Sequence, residues 1–124
     1  MTILVVDDAA DCIATLDLAL QTLQDVEIRT ALSAEAALIE LAGPKSDTFS
    51  AVITDVHLPE MNGLELVARI RENPRFRSLP ILVVSADADP STPARALGLG
   101  ANAYFTKPFS PSAMRKKLEE LIHA

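Results

Sequence analysis

Five short strand-like segments alternate with helical ones along this chain, and four of the five are followed directly by a charged or hydroxyl residue. Residues 3–6 and 81–84 are unbroken apolar runs, the pattern of strands buried on both faces. Residues 51–54 form a third run, short and β-branched, which stops on Asp55. Residues 26–31 alternate Val26 and Ile28 with Glu27 and Arg29, as a half-exposed strand would, and residues 103–106 supply the fifth. Between them, Ile13, Leu16, Leu20 and Leu23 recur at helical spacing within residues 9–23. Ser33 is placed to cap a helix that Gly43-Pro44 ends. A third helix runs over 63–72 with Leu64, Val67 and Ala68 as its inner stripe. Thr92-Pro93 and Ser110-Pro111 have the cap-then-proline form of two more helix starts, the first helix ending at Gly98 or Gly100. Strands alternating with helices require an α/β, doubly wound parallel sheet of five strands, covered on both faces by five helices. Right-handed crossovers leave 2-1-3-4-5 as the expected strand order.

That topology decides where chemistry can occur. Parallel strands all end at one edge, so Asp7, Asp8, Asp55, Ser85 and Lys107, each following a strand, gather there. Strands one and three adjoin at the point where the winding reverses, the usual ligand position in such sheets. Crowded carboxylates repel unless a cation is present. An all-oxygen donor set suits Mg²⁺ and leaves positions for phosphate oxygens. One carboxylate can then attack a phosphoryl group, with a metal and an ammonium neutralising the transition state. Asp55 is the expected nucleophile, Asp7 and Asp8 the metal acids, Ser85 the hydroxyl and Lys107 the cation.

Composition removes other classes. The 124 residues fit one domain spanning 1–124, and 49% hydrophobic content with 4% aromatic and no Trp implies an aliphatic core. A net charge of -6 argues against nucleic acid or an anionic membrane as partner. Cys12 is the only cysteine, which leaves no disulfide framework or structural zinc site within the chain. No apolar stretch reaches bilayer-spanning length and no signal peptide is visible, so a cytoplasmic protein is expected.

The motifs Ile-Leu-Val-Val-Asp7-Asp8, Asp55-x-x-x-Pro59-x-Met61-x-Gly63, Ser85-Ala86 and Lys107-Pro108-Phe109 resemble those of response-regulator receiver domains over the whole chain, single-domain chemotaxis regulators among them. The resemblance implies a flavodoxin-like fold and a two-component signalling switch that is not an enzyme for other substrates. It implies that Asp55 is phosphorylated by a histidine kinase or phosphotransfer protein. It also implies Mg²⁺ held by Asp8, Asp55 and the backbone carbonyl of His57, with Asp7 acting through the metal's water. Tyr104 falls at the family's switch aromatic and would move with Ser85, re-posing the face of the fourth helix, fifth strand and fifth helix for a downstream effector. A monomer or a phosphorylation-dependent dimer fits the family equally.

His57 is an unusual side chain two residues after the acceptor, and the proline-rich fourth helix should be short. His57 and Asp87 are expected to flank the phosphoryl site and tune how readily water reaches it. The blander readings are that Asp7 and Asp8 cap the first helix, that Tyr104 simply packs, and that Cys12 and Met61 are packing residues. Arg69, Arg71, Arg75 and Arg77, like Arg115-Lys116-Lys117, read as solvated faces. By family analogy a kinase would dock near Asp11, Thr15 and Leu18. Three rivals remain. The chain is a receiver cut from a longer regulator or hybrid kinase, although Met1 suggests a standalone or N-terminal receiver. It is a phosphorylation-independent pseudo-receiver, or it is a small Mg²⁺-dependent phosphohydrolase. Haloacid-dehalogenase-like hydrolases place a second acid where His57 stands.

Overall fold

In the computed structural model, which describes residues 1–23 and 25–123, the elements run in the order β1 (Thr2–Val6), α1 (Ala10–Leu20), β2 (Glu27–Ala31), α2 (Ala34–Ala42), β3 (Phe49–Asp55), α3 (Gly63–Glu72), β4 (Ile81–Ser85), α4 (Thr92–Gly98), β5 (Ala103–Thr106) and α5 (Pro111–Ile122). The five strands form one sheet in the order β2-β1-β3-β4-β5, and every neighbouring pair is parallel. This is the doubly wound architecture expected from the alternation of segments.

Strand side chains alternate in direction, so each central strand feeds two cores. Leu4, Val6, Val52, Ile81 and Val83 face a layer completed by α2, α3 and α4, through residues such as Leu41, Leu66, Ile70 and Ala96. Ile3, Val5, Ala51, Ile53, Leu82 and Val84 face the other layer, filled by Leu16, Leu20, Met114 and Leu118 of α1 and α5. The unbroken apolar runs at β1, β3 and β4 exist because these strands are buried on both sides. β2 lies at the sheet edge and is half-exposed, as its alternation indicated.

Several expected boundaries move. α1 ends at Leu20; Leu23 is still buried, but its amide bonds Leu20 in a turn. β3 begins at Phe49, after a short 3-10 turn over Ser46–Thr48. The inner stripe of α3 is Leu64, Leu66, Val67 and Ile70, with Ala68 only half-buried. Ser33 and Ser110 cap α2 and α5 through bonds from the Ala36 and Ala113 amides, at 3.0 and 3.3 Å. At α4 the cap position belongs to Ser91 rather than Thr92, and its side chain does not cap.

The reading of the arginines as a solvated face holds for Arg69, Arg75 and Arg77 but fails for Arg71. The Arg71 guanidinium donates to the Gly100 carbonyl (2.9 Å), the Phe76 carbonyl (2.6 Å) and Asn102 Oδ1 (2.9 Å), joining the end of α3 to the turn before β5. Asn102 Oδ1 also takes the Ile81 amide at 2.8 Å, so one side chain organises the entry of two strands. Burial lowers the Arg71 pKa, yet a guanidinium titrates so far above neutrality that the group stays charged. Arg71→Ala leaves carbonyls without their charged donor and should cost on the order of 3 kcal/mol, read as a lower urea midpoint with an unchanged slope. Arg115 likewise is not simply exposed; it is half-buried and reaches the Ala19 carbonyl of α1 at 3.4 Å.

Candidate phosphoryl-transfer site

β1, β3, β4 and β5 deliver Asp7, Asp55, Ser85 and Lys107 to the carboxyl edge of the sheet. Lys107 Nζ donates to Asp55 Oδ2 at 2.7 Å and to Asp7 Oδ2 at 3.3 Å, contacts spanning 52 and 100 residues of sequence. The remaining carboxylate oxygens are also occupied. Asp7 Oδ1 accepts the Ala9 amide at 2.9 Å, and Asp55 Oδ1 accepts the His57 amide at 3.1 Å. Asp7 therefore does help to fix the entry into α1, while also facing the cation. The Asp7 side chain is 2% exposed and that of Asp55 11%. Asp8 is exposed at the rim.

Burial by itself lowers the pKa of Lys107. Hydrogen bonds to Asp55 and Cys12, together with the charges of Asp55 and Asp7, outweigh it and hold the ammonium above its ordinary value of 10.5. Relative to the unfolded chain, this stabilisation is complete below 10.5 and is lost only as pH rises through the raised value. Lys107 therefore adds no pH dependence near neutrality.

The loop after β3 is shaped to keep Asp55 at the edge. Glu60 adopts a left-handed conformation (φ 63°), and Asn62 caps α3 by accepting the Glu65 amide at 2.9 Å. Gly63 then passes directly over the end of β3. Its amide donates to the Val56 carbonyl at 2.8 Å, and a Cβ there would overlap the Asp55 carbonyl oxygen.

Ser85 is fully buried, and its Oγ accepts the Asp87 amide at 3.0 Å. Tyr104 pairs with Val83 on the neighbouring strand, so its ring shares a sheet face with Ser85, two residues on from Val83. Among the described residues, the buried Tyr104 hydroxyl has no hydrogen-bond partner. His57 and Asp87 meet across the mouth of the site, Nε2 to Oδ2 3.4 Å, with the His57 side chain 67% exposed.

The donor chemistry fits Mg²⁺. Among the described residues no three Asp, Glu, His or Cys side chains converge into a metal cluster. Mg²⁺, however, characteristically takes only one or two carboxylates and keeps water and phosphate oxygens for the rest. Asp7 and Asp55, drawn together by one ammonium, with Asp8 at the rim and the His57 carbonyl in the adjoining loop, provide oxygen donors of that kind.

Sequence reasoning missed one member of the site. Cys12, read as a packing residue, is half-buried and its Sγ accepts a hydrogen bond from Lys107 Nζ at 3.1 Å. The only signal was its place one turn into the helix that follows Asp7-Asp8. Cys12 and Lys107 line a cleft of about 420 Å³ with Asp11, Thr15, Pro108 and Phe109. Leu18, also read as part of a docking face, is 67% exposed.

Comparison with known proteins gives a consistent result. The family described as response regulator receiver domain matches residues 3–119. Chemotaxis protein CheY1 of Helicobacter pylori is 34% identical over 124 residues, covering 98% of this chain and 97% of that protein. A chemotaxis protein CheY homolog of Campylobacter jejuni is 37% identical over 78 residues, a match spanning 63% of this chain and 60% of that protein. The crystal structure of a candidate response regulator from Chloroflexus aurantiacus J-10-fl has a TM-score of 0.88 at 33% identity, covering 99% of this chain and 98% of that one.

Proposed function

This chain belongs to the response-regulator receiver family of two-component signalling, and from that premise we propose that it accepts a phosphoryl group on Asp55 and uses it to switch a protein-binding face. The observation that carries the reading is the ammonium of Lys107 seated between Asp55 at 2.7 Å and Asp7 at 3.3 Å. A carboxylate oxygen of Asp55 forms the new P–O bond as the P–N bond of a donor phosphohistidine breaks. The imidazole nitrogen keeps the bonding pair. Lys107 offers its charge to the phosphoryl oxygens, and the Ser85 hydroxyl still has its proton to donate because it accepts from Asp87. When bound by Asp7, Asp8, Asp55 and the His57 carbonyl, Mg²⁺ would neutralise phosphoryl charge.

Return to the resting state requires water to attack phosphorus and release phosphate, leaving Asp55 as before. His57 and Asp87 stand at the mouth through which that water passes and set its access. Tyr104, whose hydroxyl has no partner among the described residues, has a modest cost for leaving that position, which suits a ring that moves with Ser85. The face of α4, β5 and α5 would then meet a downstream effector, the donor being a histidine kinase or phosphotransfer protein.

The test is intact-protein mass after incubation with acetyl phosphate. Wild type with Mg²⁺ should gain one phosphoryl group. Chelator or Asp55→Asn should abolish the gain. An adduct that persists in Asp55→Asn would refute the assignment.

A further inference from the structure

The segment between β4 and α4, Ser-Ala-Asp-Ala-Asp-Pro-Ser over residues 85–91, places a hydrogen-bonding side chain at every second position, and each takes the next one's amide. Ser85 Oγ accepts the Asp87 amide at 3.0 Å, Asp87 Oδ1 the Asp89 amide at 2.8 Å, and Asp89 Oδ1 the Ser91 amide at 2.9 Å. Asp87 Oδ2 also accepts the Thr92 hydroxyl at 3.3 Å. One end of this ladder is the fully buried hydroxyl of the site; the other is Thr92, 1% exposed, in the first turn of α4.

The helix depends on that ladder. α4 has only seven residues, and the hydroxyl at its cap position, Ser91, is turned back to Asp89 at 2.8 Å instead of capping. Its start is held by Thr92, through the hydroxyl bond to Asp87 and an amide bond to the Asp89 carbonyl at 3.2 Å. The amide and hydroxyl of Ser91 hold Asp89 below the usual carboxylate range, so it acts as an acceptor throughout the neutral range. A shift of Ser85 Oγ toward Asp55 must carry the Asp87 amide with it or leave that amide unpaired.

We propose that Asp87 is a positioning residue that, with Asp89 and Thr92, ties the first turn of α4 to the Ser85 hydroxyl. This deepens the switch reading by naming a route from the site to the α4 face. It acts beside the Tyr104 ring, which approaches from β5.

The coupling can be tested in the resting protein, so the result stands whether or not Asp55 accepts phosphate. Amide hydrogen exchange along α4 would be read by NMR for wild type, Ser85→Ala, Thr92→Val and the double variant. The Arg95 amide, bonded to the Ser91 carbonyl at 3.1 Å, reports the first turn; the Leu99 amide, bonded to Arg95 at 3.0 Å, reports that α4 is intact. Ser85→Ala should speed exchange at Arg95 in the wild-type background. In Thr92→Val, with Leu99 still protected, it should have no further effect, and Thr92→Ser should restore the response. An Arg95 response to Ser85→Ala of equal size in both backgrounds, or no response in either, would overturn the proposal.

Discussion

Gly63→Ala should be the most damaging single-methyl change in this chain. A Cβ at position 63 would overlap the Asp55 carbonyl oxygen and lie 2.8 Å from the carbonyl carbon and 3.0 Å from Val56 Cα. All three obstacles are backbone at the end of a central strand, so no side chain can swing aside. Relief would require β3 and α3 to separate, breaking the 2.8 Å bond from the Gly63 amide to Val56 and displacing the proposed nucleophile. The expected loss is about 3 kcal/mol or more, measured by urea unfolding. Gly98→Ala is the natural control. Nothing lies within 4 Å of its Cβ position, and it closes a helix, so it should be neutral or stabilise by roughly 0.5–1 kcal/mol. Equal stability of the two variants would show that the close approach at Gly63 is misread.

Lys107→Met should act on stability and chemistry together. Methionine keeps the unbranched apolar stem, one atom shorter, but leaves Asp7 and Asp55 facing each other without their ammonium. Uncompensated carboxylates as enclosed as these make the loss on the order of 3 kcal/mol. A second substitution, Asp55→Asn, removes one of the two charges and should recover much of that loss, a non-additivity that a double-mutant cycle reads directly. Phosphoryl transfer should slow by roughly 10²-fold, because the charge developing on the phosphoryl oxygens loses a fixed cation. If Lys107→Met gained adduct at the wild-type rate, Lys107 would be structural only.

The placement of Asp7, Asp55, Ser85 and Lys107 at one edge was legible because a parallel sheet collects strand ends, and the apolar runs mark those ends in sequence. The bounds of α3, residues 63–72, were legible, whereas its inner stripe was only partly so: Ala68 is half-buried, and Leu66 and Ile70 complete the buried face. The half-exposure of β2 followed from its alternation. Arg71 was not legible, since its acceptors at Phe76, Gly100 and Asn102 come together only after α3 and β5 have packed. Its neighbours Arg69 and Arg75 carry the same sequence signal but end in surface pairs with Glu65 and Asp47. Cys12 was misjudged for a related reason, because its partner lies 95 residues away. The cap of α4 shifted by one because Ser91 and Thr92 are both good caps, and the side chains of Asp87 and Asp89 claim both hydroxyls.

The central claim is that Asp55, and no neighbouring acid, carries the phosphoryl group. An acyl phosphate is reduced by borohydride to a primary alcohol, which converts the modified aspartate to homoserine. The protein would be treated with acetyl phosphate and Mg²⁺, reduced, digested and sequenced by mass spectrometry. Homoserine at position 55 alone is the predicted result. Homoserine at position 7 or 8, or none at all in protein whose intact mass shows the adduct, would contradict the account.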